Sequence, residues 1–226
     1  AATLAEGETI IYNAACEPHV QDLANLLNAM GASVSGIGTN RIHVQGVPSL
    51  HGTTHRVQPD FIEIGSFIAA AVATGGALTI PHAGDPLVLN IMQRTYARLG
   101  VQWRVDDAGT LHLPQQIDRT IQGDIGNDTP KIEDGIWPAF PSDLMSVAIV
   151  LATQTKGTTL FFEKMFESRM YFVDHLMSMG ANIIPCDPHR VVVVGPTQLR
   201  GSILTSPDIR AGMAMLIAAC CANGDS

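Results

Sequence analysis

Three segments of the chain follow one grammar, so any fold proposed for it must be built from repeats. Each opens at a glycine and continues as a β-rich run, at residues 7–12, 76–80 and 157–162. A stretch with helical periodicity follows and ends at a second glycine: Gly31, Gly100 or Gly180. Next come a short strand, a turn and a second strand, at 41–44, 110–113 and 190–194. Each unit then reaches an aspartate near a proline, followed by a helix of small apolar residues. These are Pro59-Asp60 before 61–74, Pro141-Ser142-Asp143 before 144–155, and Pro207-Asp208 before 209–223.

Each part has an ordinary physical reason. Glycine suits the left-handed position that ends a helix, and aspartate suits an N-cap, where its carboxylate accepts backbone N–H groups. Val20, Leu23, Ala24, Leu27 and Met30 recur at three- and four-residue spacing, which buries one helix face. The helices after the aspartates are apolar on most sides, as in Ile68-Ala69-Ala70-Ala71-Val72-Ala73, and a helix apolar all round belongs in an interior. Each unit is thus predicted to hold two helices and about four strands, with the post-aspartate helices buried between sheets. The chain starts and stops inside helices of this kind and reads as an internal piece of a longer one. The stretch 118–137, with Gly123, Gly126, Asn127, Asp128, Pro130 and Gly135, reads as a loop.

Hydrophobic residues make up 46% and charged residues 15%, a balance that specifies a folded chain. Only 5% are aromatic, so the core must rest on Ala, Val, Ile, Leu and Met. A net charge of −8 argues against a partner bound through its phosphate backbone, and no nucleic acid is expected. A few arginines can still make a local anion pocket. Cys16, Cys186, Cys220 and Cys221 match no zinc or redox spacing and read as reduced thiols of a cytoplasmic protein. The histidines form no ligand pair, so no metal is expected. No apolar run approaches the ~20 residues that span a bilayer, so no membrane partner is expected.

The residues also carry a resemblance. Residues 4–32 do, with Gly36-Ile37-Gly38-Thr39-Asn40, 46–52 and His55-Arg56-Val57-Gln58-Pro59-Asp60. So do Pro138-Ala139-Phe140-Pro141-Ser142-Asp143, Phe166-Glu167-Ser168-Arg169 and Asp208-Ile209-Arg210. In this order, over essentially its whole length, the chain resembles the UDP-N-acetylglucosamine 1-carboxyvinyltransferases, a family of enolpyruvyl transferases. The resemblance implies an α/β (α+β) fold: an inside-out α/β barrel of βαβαββ-like repeats around buried helices, in two lobes flanking an active-site cleft. Residues 1–58 would be the tail of one lobe and 59–226 most of the second.

The activity implied is transfer of enolpyruvyl from phosphoenolpyruvate to the 3-hydroxyl of UDP-N-acetylglucosamine, the first committed step of peptidoglycan synthesis. Phosphoenolpyruvate is a co-substrate, and no cofactor is implied. Asp143 matches the family's base for the sugar hydroxyl, and a plain N-cap is its other reading. Asp208 matches a catalytic aspartate beside the reacting centre, where it would also orient Arg210. Arg169 and Arg210 match substrate-binding arginines near phosphoenolpyruvate, with a plain ion pair as the other reading. Met165 falls where the family packs a small residue near the uracil, and core packing is its other reading. The family's catalytic loop lies upstream of Ala1, so this chain alone is expected to show no turnover and to need the rest of its parent. The family usually has Arg at the places of Cys16 and Phe61 and Asn at that of Ser168. Those departures motivate another expectation, a non-catalytic or regulatory paralogue that binds a UDP-sugar or anion. An enzyme like enolpyruvylshikimate-phosphate synthase is a further one.

Overall fold

The computed structural model describes residues 1–116, 119–206 and 208–226, and the backbone alone of Asn127. Asp118, which opens the stretch read as a loop, and Pro207, which precedes the last aspartate, lie outside the described residues. The chain divides into two units, Ala1–Asp60 and Phe61–Ser226.

The first unit is one repeat. Strand β1 (Glu8–Tyr12) leads to helix α1 (Pro18–Ala29), then β2 (Ser33–Ser35) and β3 (Arg41–Gln45). The sheet order is β1-β3-β2, all antiparallel, with Ile10 opposite His43 and Val34 opposite Val44. Alternation puts Ile42 and Val44 inward, where they meet Val34, Ala24 of α1 and Ala14 in a small core. The tail after β3 has no regular element, and Asp22 of α1 holds it. One Asp22 oxygen lies 3.0 Å from His55 Nε2, and the other accepts the Gln58 N–H.

The second unit opens with helix α2 (Phe61–Ala73) and contains two further repeats. The first is β4 (Leu78–Ile80), α3 (Pro86–Arg98), β5 (Arg104–Val105) and β6 (Leu111–Leu113). Its sheet order is β4-β6-β5. Asp85 caps α3 by accepting the Leu87 N–H, with Pro86 in the first turn. Leu89, Met92 and Tyr96 form the buried stripe of α3. After β7 (Lys131–Glu133) and a 3₁₀ turn, Ser142–Leu144, comes α4 (Met145–Thr153). The last repeat is β8 (Gly157–Phe162), α5 (Val173–Ser178), β9 (Asn182–Asp187), β10 (Arg190–Gly195) and α6 (Ile209–Cys221).

Two expectations change here. Part of the stretch read as a loop is strand β7, which pairs parallel with β8 and gives the sheet order β7-β8-β10-β9. A strand of three residues is too short for alternation to announce it. Among the described residues, only this sheet has four strands, because β7 comes from the segment before its own repeat, and the other two have three.

Helices α2, α4 and α6 pack against one another at the centre of this unit. Every residue of α4 is buried, and its hydroxyls find acceptors nearby: Thr153 Oγ1 donates to Val150 O, and Ser146 Oγ donates to Arg210 O. Helix α2 is buried along most of its length, although Phe67 is exposed. Helix α6 buries Ala211, Ala214, Met215, Ile217 and Ala218 and exposes Ile209, Met213 and Leu216. The interior reading therefore fits α4 throughout, α2 for the most part and α6 on one face.

Candidate functional site

The chemistry gathers where α4 and α6 begin. Asp208 caps α6, its Oδ1 accepting the N–H groups of Arg210 (2.7 Å) and Ala211 (2.9 Å). Asp143 was read alternatively as the equivalent cap of α4. It is not one: it lies inside the 3₁₀ turn that precedes α4, and its side chain caps nothing. Both carboxylate oxygens are instead taken by cations. Arg169 Nη1 donates to Oδ1 at 3.0 Å and Arg210 Nη2 to Oδ2 at 2.8 Å. About a third of the Asp143 side chain remains open to solvent.

Arg169 ends the loop that leaves β8, and its guanidinium stacks 4.3 Å from the centre of the Phe166 ring. Met165 is 41% exposed, so core packing does not describe it. Its backbone N–H is bound by carboxylates below. The structure thus brings Asp143, Arg169 and Arg210 into one ion-paired cluster. Asp208 lines the same small cavity as both arginines, and Met165 sits on the loop that carries Arg169. That cavity measures about 10 Å³, room for roughly one water and far below a sugar nucleotide.

Sequence reasoning missed two residues under this cluster. Asp134 and Glu163, 0% and 1% exposed, extend the inward positions of β7 and β8 beyond Ile132 and Phe161. The parallel register sets the two carboxyls side by side, both within reach of the Met165 N–H. Ser142 Oγ donates to Glu163, at 3.0 and 2.9 Å from its two oxygens. Glu163 Oε1 also accepts the N–H groups of Met165 and Phe166, and Asp134 accepts those of Lys164 and Met165. Burial, and next the adjoining Asp134 carboxyl, push the Glu163 carboxyl up from 4.5 to about 7. The folded state therefore holds a proton that the unfolded chain gives up. This stabilisation is complete below about pH 4.5 and is lost as pH rises through about 7. The signal in the sequence was the alternation Thr159, Phe161, Glu163 in one strand, which aims the glutamate inward.

Ser168 has φ +64°, a left-handed conformation that costs a serine about 1–2 kcal/mol and an asparagine less. Asparagine is also the residue that the family resemblance implies at this place. Ser168→Asn is expected to raise stability by up to about 1 kcal/mol in denaturant titration; an unchanged or lower midpoint contradicts this. Among the described residues, no group of three or more His, Cys, Asp or Glu is placed to hold a metal ion.

The fold and this cluster define a class. The whole chain, residues 1–226, matches the family model for EPSP synthase (3-phosphoshikimate 1-carboxyvinyltransferase), and the chain belongs to that family of enolpyruvyl transferases. Within it, the chain is 55% identical to the UDP-N-acetylglucosamine 1-carboxyvinyltransferase of Treponema pallidum, over 100% of this chain and 53% of that one. It is 54% identical to the protein of the same name from Borrelia garinii, over 100% and 52% of the two chains. The chain spans about half the length of the curated relatives it matches. The enolpyruvyl transferase NikO from Streptomyces tendae superposes with a TM-score of 0.79, covering 98% of this chain and 51% of that one at 23% identity. EPSP synthase from Acinetobacter baumannii gives 0.69, over 97% and 51%, at 21% identity. The fold is therefore the inside-out α/β fold of enolpyruvyl transferases.

Proposed function

We propose that the full-length protein transfers the enolpyruvyl group of phosphoenolpyruvate to the 3-hydroxyl of UDP-N-acetylglucosamine, releasing phosphate, and so commits the sugar nucleotide to peptidoglycan. The observation that carries this reading is the partly open Asp143 carboxylate held between Arg169 and Arg210. The shared name of relatives above half identity supports the choice of acceptor. Asp143 takes the proton of the attacking hydroxyl as the new C–O bond forms at C2 and the double-bond electrons take up a proton at C3; loss of a C3 proton with departure of phosphate then restores the double bond. The arginines neutralise the phosphate and carboxylate of phosphoenolpyruvate, and a guanidinium fork suits both groups. An arginine that turns toward the substrate also frees an Asp143 oxygen to act as base. Asp208 holds the backbone of Arg210 and keeps that arginine at the mouth of the cluster. Met165 offers an exposed apolar contact beside it, which fits the uracil.

Phosphoenolpyruvate serves as co-substrate and no cofactor takes part. We place residues 1–58 in one lobe of the enzyme and 59–226 in the other, in keeping with the unit boundary after Asp60. The reaction belongs in the cytoplasm, a compartment consistent with four free thiols. No helix among the described residues is long and apolar enough to cross a membrane.

The test is phosphate release by the full-length protein from phosphoenolpyruvate with each acceptor. Release that depends on UDP-N-acetylglucosamine is expected. Release that depends on shikimate 3-phosphate instead, or none with either acceptor, contradicts the reading.

A further inference from the structure

Glu163 and Asp134 have no part in the chemistry above, yet they sit beneath it and are almost fully buried. Two carboxyls side by side away from water cannot both ionise cheaply, and these two meet at one donor, the Met165 N–H, 3.3 Å from Asp134 Oδ2 and 3.1 Å from Glu163 Oε1. Their other side-chain partners lie on the two segments that carry Asp143 and Arg169. Ser142, the neighbour of Asp143, is bound by Glu163. The N–H groups of Lys164, Met165 and Phe166, the start of the loop that ends at Arg169, are bound by one carboxyl or the other.

We propose that Asp134 and Glu163 share one proton and act as a positioning pair, holding the Asp143 turn and the Arg169 loop in register with each other. Loss of the shared proton sets two buried anions against each other. The cheapest relief is to let the loop of residues 164–169 open to water, which loosens the Arg169 grip on Asp143. The positioning of a base rests on the reading of Asp143 given above; the shared proton does not.

Other charged groups face the pair. His189 stands on the turn between β9 and β10, with Nδ1 3.0 Å from the Glu163 carbonyl oxygen and Nε2 3.3 Å from Glu167. Arg169, Arg210 and Asp208 line the same cavity as Glu163. Lys164 pairs outward with Glu133. Glu163→Gln leaves all of these in place. Its amide can donate to Asp134 permanently, where the native pair needs a proton.

The experiment follows backbone hydrogen exchange of residues 164–169 in the full-length protein from pH 4 to pH 9, corrected for intrinsic exchange, alongside the pH profile of kcat/KM. In the wild type, protection is expected to fall by up to about tenfold per pH unit between about pH 4.5 and 7, where the opened loop has given up the proton and the closed pair still holds it, and to level off above. In Glu163→Gln it stays level, and in Asp134→Asn, where burial alone still raises Glu163, the fall is smaller than in the wild type. A wild type whose protection does not change with pH overturns the shared proton, and this needs no variant to fold. Equal losses in wild type and both variants overturn it too, assigning the effect to His189 or another group. The alkaline limb of kcat/KM is expected to move up by at least about one pH unit in Glu163→Gln, and an unmoved limb overturns the positioning role. A wild type without turnover overturns the functional reading and with it the positioning of a base, while exchange still decides the proton.

Discussion

Asp143→Asn in the full-length protein is expected to lower kcat by about 10²–10⁴-fold, the usual worth of a general base, with little change in KM. Asparagine has the same size and keeps one oxygen for an arginine, but it cannot take a proton from a hydroxyl. Because Asp143 lies in a 3₁₀ turn and caps no helix, the change removes no capping bond. The loss should therefore appear in turnover and leave the melting temperature within a few degrees. Steady-state phosphate release checks the first and thermal unfolding the second. Normal turnover in the variant removes Asp143 from the mechanism. A collapse in stability assigns it a structural role.

The second large effect is on stability. Leu151 lies fully buried in α4, the helix that packs against both α2 and α6. Leu151→Ala is expected to cost about 2–5 kcal/mol, the transfer cost of the lost atoms plus the cavity they leave. Domains have only about 5–15 kcal/mol in total, so the variant should unfold at a clearly lower denaturant midpoint. The same substitution at Leu216, on the exposed face of α6, should cost far less. Equal costs at the two positions would contradict an interior α4.

The contrast between these helices also shows how far the sequence could be read. Apolar residues on most sides and a preceding aspartate marked α2, α4 and α6 alike, and the repeat set the chain order of helices and strands apart from β7. Periodicity reports what a helix can bury and leaves open what covers it, so the exposed Ile209, Met213 and Leu216 of α6 were not foreseen. The three aspartates looked equivalent, yet Asp208 caps its helix while Asp143 turns to Arg169 and Arg210. That difference depends on cations 26 and 67 residues away in sequence, beyond any local pattern. Family resemblance singled out Asp143, Arg169 and Arg210 where local physics could not choose among them. It was silent on Asp134 and Glu163. Charged residues at strand ends are usually exposed, and only the parallel pairing of β7 with β8 places these two side by side in the interior.

The proposed mechanism makes Asp143 and Arg210, ion-paired at the starts of α4 and α6, a working unit, and a double-mutant cycle on kcat/KM tests this most directly. Groups in contact couple by about 0.5–3 kcal/mol. Arg210→Ala should therefore cost much less activity in the Asp143→Asn background than in the wild type. Equal fold losses in the two backgrounds would mean that the two side chains act independently, contrary to the site described above.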